Sequence, residues 1–229
     1  MLEKLTERRA ARAGDVPEDG VGSEGLAYLV TMRLDIPAGD FAAYLFDLDG
    51  TLVDSMPVHL RAWERALQLV GLTVPFDAEF FYSLGGTSTL ESAVIFREHY
   101  GLTFDAPQLV IDKEHLYLDL LHEVTRIEPV VEIARRVALT HPVAIVTGGG
   151  PEIAYPALDA AGLRSLFAVV VTPVDVAPAR GKPHPDMFLL AAEKLGVAAS
   201  ACLVFEDAMP GVTAAKAAGM QVVLVPRTS

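Results

Sequence analysis

A single cysteine, Cys202, stands in 229 residues, so no intrachain disulfide can form and the fold must rest on its apolar core. That usage suits a reducing compartment, and a cytoplasmic home is expected. Basic residues are scarce as well: 18 Lys and Arg against 30 Asp and Glu leave a formal net charge of −12. Such a surplus repels a phosphate backbone, which argues against nucleic acid as a partner, and it favours bound cations. Long apolar runs are missing too. Although 52% of the residues are hydrophobic, Asp, Glu, Lys, Arg or Pro interrupts each run well before the roughly 18 residues that cross a bilayer. No membrane partner is expected. The first 14 residues mix charges with no apolar stretch behind them, so they do not read as a secretory signal.

What is present alternates in a regular way. Short apolar runs at 43–46, 143–146, 167–171, 203–205 and 222–225 read as buried strands. Helical stretches at 152–161, 186–195 and 212–218 lie between the last four, each followed by a glycine, at 162, 196 or 219. Strand, helix and strand at this spacing predict an α/β fold with a Rossmann-like parallel sheet. One interval breaks the rhythm. About 95 residues part the first strand from the second, and their pattern is helical throughout, over 56–70, 77–84, 88–100, 106–124 and 129–139. We read 56–125 as an all-helical cap inserted in a core made of 41–55 and 126–229. Ser55 is expected to cap the first cap helix, with Pro57 in its first turn and Gly71 at its stop. Residues 1–40 read as an extension: helical composition in 1–13, a linker in 14–25, and a strand over 26–36.

Ligands of an open parallel sheet bind at the carboxyl ends of its strands. Three such ends carry polar residues here: Asp47-Leu48-Asp49-Gly50-Thr51, Thr147-Gly148-Gly149-Gly150 and Glu206-Asp207. Lys182, in Gly181-Lys182-Pro183-His184-Pro185, precedes the helix between the third and fourth strands and can reach the same mouth. Asp47 and Asp49, two apart, lean the same way in an extended chain. With Glu206 and Asp207 they form an all-oxygen anionic set without His or Cys, which suits Mg²⁺ rather than zinc. Thr147 and the glycine amides behind it, Gly148 first, offer a phosphate cradle at a helix N-terminus, and Lys182 a compact positive charge.

The run from Asp47 to Ser55, then Thr147, Lys182 and Glu206-Asp207 in that order, resembles the four motifs of the haloacid-dehalogenase superfamily of phosphohydrolases. The helical insertion after the first motif is similar to the subgroup containing β-phosphoglucomutase and fructose-1-phosphate phosphatase-like enzymes. The resemblance implies an aspartyl phosphate on Asp47 and general acid/base work by Asp49, whose main-chain carbonyl would also bind Mg²⁺. It implies a metal site of Asp47, Asp49, Asp207 and Glu206, and transition-state support from Thr147 and Lys182. The presence of Asp49 disfavours a dehalogenase. His59 matches a histidine that contacts the reacting groups in β-phosphoglucomutase, and the cap loop 84–89, with Gly86 and Thr87, matches the loop that reads the substrate. His184 reads as a loop residue stiffened by its prolines.

In the mutase, an arginine in that loop grips the second phosphate; Thr89 stands at its place here. A neutral hydroxyl cannot replace a bidentate guanidinium. Lys113 and Arg97 are the nearby cations, and both are expected on exposed helix faces. The expectation is therefore a Mg²⁺-dependent phosphatase of small phosphorylated metabolites, sugar phosphates first, acting as a monomer or weak homodimer. A sugar-phosphate isomerase and a catalytically silent phosphate-binding protein are the alternatives.

Overall fold

The computed structural model describes residues 32–85 and 87–227. Five parallel strands build the main sheet, β1 (Ala43–Phe46), β4 (Val143–Val146), β5 (Val169–Val171), β6 (Cys202–Glu206) and β7 (Gln221–Leu224), in the order β5-β4-β1-β6-β7. The sheet is parallel because helices carry the chain back each time: α6 (Pro151–Ala160), α7 (Asp186–Leu195) and α8 (Met209–Ala217). Side chains alternate across it. Tyr44 and Phe46 enter one apolar layer with α5 (Glu128–Val137) and α6, through Val130, Val131, Ala134 and Leu158. Ala43 and Leu45 enter the opposite layer with Met187, Phe188 and Ala191 of α7 and Ala214 and Ala215 of α8. This is an α/β fold of the Rossmann-like kind, with both faces of the sheet covered.

The interval between the first and second core strands holds α1 (Met56–Leu69), α2 (Ala78–Ser83), α3 (Thr89–His99) and α4 (Ala106–Asp119). Their core is separate and aromatic: Trp63, Phe81 and Phe96 with Leu67 and Leu109. Asp77, Ser88 and Asp105 cap α2, α3 and α4 through hydrogen bonds from Phe80, Glu91 and Gln108 amides. The chain enters through β2 (Val53–Asp54) and leaves through β3 (Thr125–Arg126), which pair antiparallel, so the two crossings lie side by side. A small apolar set, Val58, Ala62, Tyr117, Leu120 and Ile153, joins α1 and α4 to α6.

Three local expectations are corrected. The helix expected over 106–124 ends at Asp119, and a 3-10 turn, Leu121–Glu123, follows. The helix expected over 212–218 starts three residues earlier, at Met209, because Pro210 is pre-set for a first turn. The strand expected over 26–36 is described only from residue 32. There it forms no strand, and Met32, Leu34 and Ile36 pack instead on the α5–α6 layer, which uses their alternation without a sheet edge. The helix and linker read in 1–25 lie outside the described residues. Among the described residues no helix is long and apolar enough to cross a membrane.

Candidate active site

β1, β4 and β6 end side by side, and each delivers its next polar residues to one cleft of about 660 Å³. Asp47, Asp49, Thr147, Gly148, Lys182, Glu206 and Asp207 line it from the sheet side, His59 and Thr87 from the helical side. Gly86 lies outside the described residues.

Lys182 is the centre of the charged arrangement. Its ammonium donates to Asp47 Oδ1 and to Glu206 Oε1, each at 2.6 Å. All three side chains are nearly shielded from solvent, so the attractions act in a medium far less screening than water. Burial alone would strip the Lys182 charge, but the Asp47 and Glu206 carboxylates outweigh it and raise its pKa above the ordinary lysine value. Burial pushes Asp47 well above the usual carboxylate range; Lys182 opposes the rise, while Glu206, Asp207 and Asp49 add to it. Burial, followed by the Glu206 charge, pushes Asp207 up to about 7. Such crowding of carboxylates is what a bound cation relieves. Carboxylate oxygens of Asp47, Glu206 and Asp207 all lie within 4.8 Å of one another, and a hard divalent ion fits this all-oxygen set. Glu206 has a further tie: its Oε2 accepts the Ala208 amide at 2.7 Å, so it also braces the loop leading into α8.

Two glycines make room for these carboxylates. Gly50 has a φ of +81°, and a Cβ there would strike the Asp207 carboxylate. A Cβ at Gly211 would strike the Glu206 carboxylate.

Asp49 turns away from this cluster. Its Oδ1 accepts the Ser55 hydroxyl at 2.5 Å and lies 3.7 Å from His59 Nε2. Burial would raise its pKa, but the His59 interactions, the Ser55 hydrogen bond and the Lys113 charge hold it below the usual carboxylate value. Ser55 was expected to cap α1. It does hold the N-cap position, with φ of −97° and ψ of −14°, but its side chain makes no cap bond and its hydroxyl serves Asp49 instead. Thr147 is buried, and its Oγ1 accepts the Gly149 amide at 3.1 Å, which leaves the hydroxyl proton free for the cleft. The same bond uses up one of the glycine amides expected to cradle phosphate.

The cap contributes a group that the reading of the sequence missed. Lys113 on α4 is only 2% exposed, not on an open helix face. It donates to His59 Nδ1 at 2.9 Å and to Glu114 Oε1 at 3.2 Å, and it lies over the Trp63 and Tyr117 rings. An ammonium only donates, so Nδ1 accepts and the ring proton sits on Nε2, facing Asp49. Burial and the Lys113 charge lower the His59 pKa below its ordinary value, against the pull of Asp49, and the ring is neutral at neutral pH. Tyr117 stacks flat on His59, with ring centroids 3.9 Å apart. A sequence signal for Lys113 exists: Ala106, Leu109, Lys113 and Tyr117 form one buried helical stripe, and a lysine in such a stripe needs a partner. His184 lines the cleft, with Nδ1 at 3.2 Å from the Arg180 guanidinium.

Residues 41–219 match the family model described as haloacid dehalogenase-like hydrolase. The chain belongs to that family. Fructose-1-phosphate phosphatase YqaB of Escherichia coli is 35% identical over 183 residues, which cover 80% of this chain and 95% of that protein. β-Phosphoglucomutase of Bacillus subtilis is 31% identical over 185 residues, 78% of this chain and 80% of that one. The crystal structure of CbbY from Rhodobacter sphaeroides in complex with phosphate has a TM-score of 0.73 over 81% of this chain and 86% of that chain, at 24% identity; that likeness is one of fold.

Proposed function

We propose that this phosphatase hydrolyses small phosphorylated metabolites, sugar phosphates foremost, through a phosphoryl group carried on Asp47. The observation that carries the reading is the division of labour between the two aspartates. Asp47 faces Lys182, Glu206 and Asp207, where a phosphoryl group and its countercharge belong, while Asp49 faces Ser55 and His59 on the cap side, where a leaving group belongs.

Asp47 attacks phosphorus, and the bond to the leaving oxygen breaks. Asp49, entering the step protonated when the substrate is bound, gives that oxygen its proton, then takes one from the water that cleaves the aspartyl phosphate. Lys182 and the Thr147 hydroxyl offset the charge on the transferring oxygens. Asp47, Asp207, the Asp49 main-chain carbonyl and Glu206 would hold Mg²⁺, which would supply further neutralisation of phosphate charge when bound. His59 presents an N–H toward Asp49, and Gly148, Gly86 and Thr87 would meet the substrate. The relative that hydrolyses fructose 1-phosphate supports a sugar phosphate.

A second reading, isomerisation of a sugar phosphate, is favoured by the likeness to β-phosphoglucomutase. Thr89, which lines the cleft without a charge, speaks against it. The test is inorganic phosphate release from phosphorylated hexoses, pentoses and glycerol, with and without Mg²⁺, for wild type and Asp47→Asn. Release that needs both Asp47 and the metal is expected. A rearranged sugar phosphate without free phosphate would support the isomerase, and neither product would leave a silent binder.

A further inference from the structure

Three cations line the cleft among the described residues: Lys113, Lys182 and Arg227. The first two are spent internally, on His59 with Glu114 and on Asp47 with Glu206. Arg227 differs. No carboxylate among the described residues pairs with it, and its one hydrogen bond, Nη2 to the Tyr82 carbonyl, is long at 3.5 Å.

Its position follows from the sheet. β7 runs parallel beside β6 with Leu224 opposite Glu206, and the Val225 amide donates to the Glu206 carbonyl at 2.7 Å. The chain is thus pinned at the strand end that carries the acidic pair, and Arg227, two residues on, reaches from the core toward the cap. There it meets the turn after α2. A Cβ at Gly85 would come within 3.1 Å of the guanidinium, a tight contact that the missing side chain there avoids. The loop beyond carries Thr87, Ser88 and Thr89, all uncharged and all lining the cleft.

We infer that Arg227 is a specificity residue, whose guanidinium binds an anionic group, carboxylate or phosphate, carried by the substrate on the part that is not transferred. The inference rests on the phosphatase reading and narrows its substrate class. Near Asp47, Asp49, Glu206 and Asp207 a second anion is repelled unless a cation answers it, and four of the five N–H donors of Arg227 are unengaged among the described residues. Thr89 leaves the cap loop without a charge; Arg227 brings one to the same loop from the opposite wall.

Matched substrates test this. Phosphate release is compared for glycerol 3-phosphate against 3-phosphoglycerate, and for fructose 1-phosphate against fructose 1,6-bisphosphate, in wild type, Arg227→Ala, Arg227→Lys and Gly85→Val. Wild type should prefer the second member of at least one pair in kcat/KM. Arg227→Ala should cut that preference about tenfold or more, mainly through KM, and Gly85→Val should cut it by crowding the guanidinium. Arg227→Lys should keep part of it, because it keeps the charge and loses the fork. A response of the first pair alone marks a carboxylate, and of the second alone a phosphate. Asp47-dependent release with the same ratio in wild type and Arg227→Ala overturns the inference and leaves the phosphatase standing. No release that depends on Asp47 from any of the four overturns both.

Discussion

The mouth of the core and the cap hold their buried charges in different ways. In the core, Asp47 and Glu206 sit at or just past the ends of neighbouring parallel strands, and backbone pairing brings them together before any side chain acts. Lys182 then closes the gap between them. In the cap, His59 and Lys113 stand 54 residues apart on two helices, and only the packing of α1 against α4 joins them. Trp63 and Tyr117 rings pack against this pair, and each member has one nearby carboxylate, Asp49 for His59 and Glu114 for Lys113. A site built by strand ends is tied to the sheet itself, whereas one built by helix faces depends on how those faces pack and on how the cap sits over the core.

The largest expected effect lies in the core. Asp47→Asn should lower phosphate release by about 10⁴-fold or more while the thermal unfolding midpoint stays within a few degrees, measured by single-turnover kinetics and calorimetry. Equal loss of folding and activity would erase the distinction between site and scaffold. Phe96→Ala should break the comparison from the other side. Phe96 is fully buried and meets Trp63, Phe76 and Phe80, so its truncation should cost about 3–5 kcal/mol. Proteolysis should then open 56–125 first; uniform cleavage of core and cap would contradict an independent cap core.

Gly211→Ala should cost about 1–3 kcal/mol or displace Glu206 from Lys182, because the new Cβ meets the carboxylate; denaturant unfolding and a Mg²⁺ titration read the two outcomes. Lys113→Met should lower kcat roughly tenfold, as expected for losing one hydrogen bond from a charged donor. It should also raise the His59 pKa, because the Lys113 charge is one of the two causes that lower it. Proton NMR of the His59 ring against pH measures that sign, and an unchanged or lower value would refute the pairing. Smallest is Thr89→Arg, expected to leave phosphate release within a fewfold and to increase the isomeric product, by chromatography, if that loop position governs the fate of the intermediate.

Much of the core was legible because its information is local. Strand runs of three or four apolar residues followed at once by acids or by Thr147 predict both the sheet and the side on which polar groups gather. The acidic pair at 206–207 and Lys182 fell into place once the strand order β4-β1-β6 was formed. The cap was legible as helices and capping residues but not as a site. Ser55 holds the cap position its neighbours predict, but its hydroxyl goes to Asp49, since a half-buried carboxylate gains more from a donor than a helix end that solvent can serve. Lys113 looked like a surface lysine because charge alone suggests exposure; its membership of a buried stripe outweighs that reading.

By itself the sequence determined the α/β class, the helical insertion and the polar residues at the strand ends, because periodicity and turn residues act within a few positions of each other. Only the tertiary structure decided that Lys182 bridges Asp47 and Glu206, that Asp49 turns to Ser55 and His59, that Lys113 is buried behind them, and that Arg227 reaches the cap loop. These contacts join residues as far apart as 145 positions, and which of them form depends on how sheet and helices pack, a property no short stretch of chain possesses.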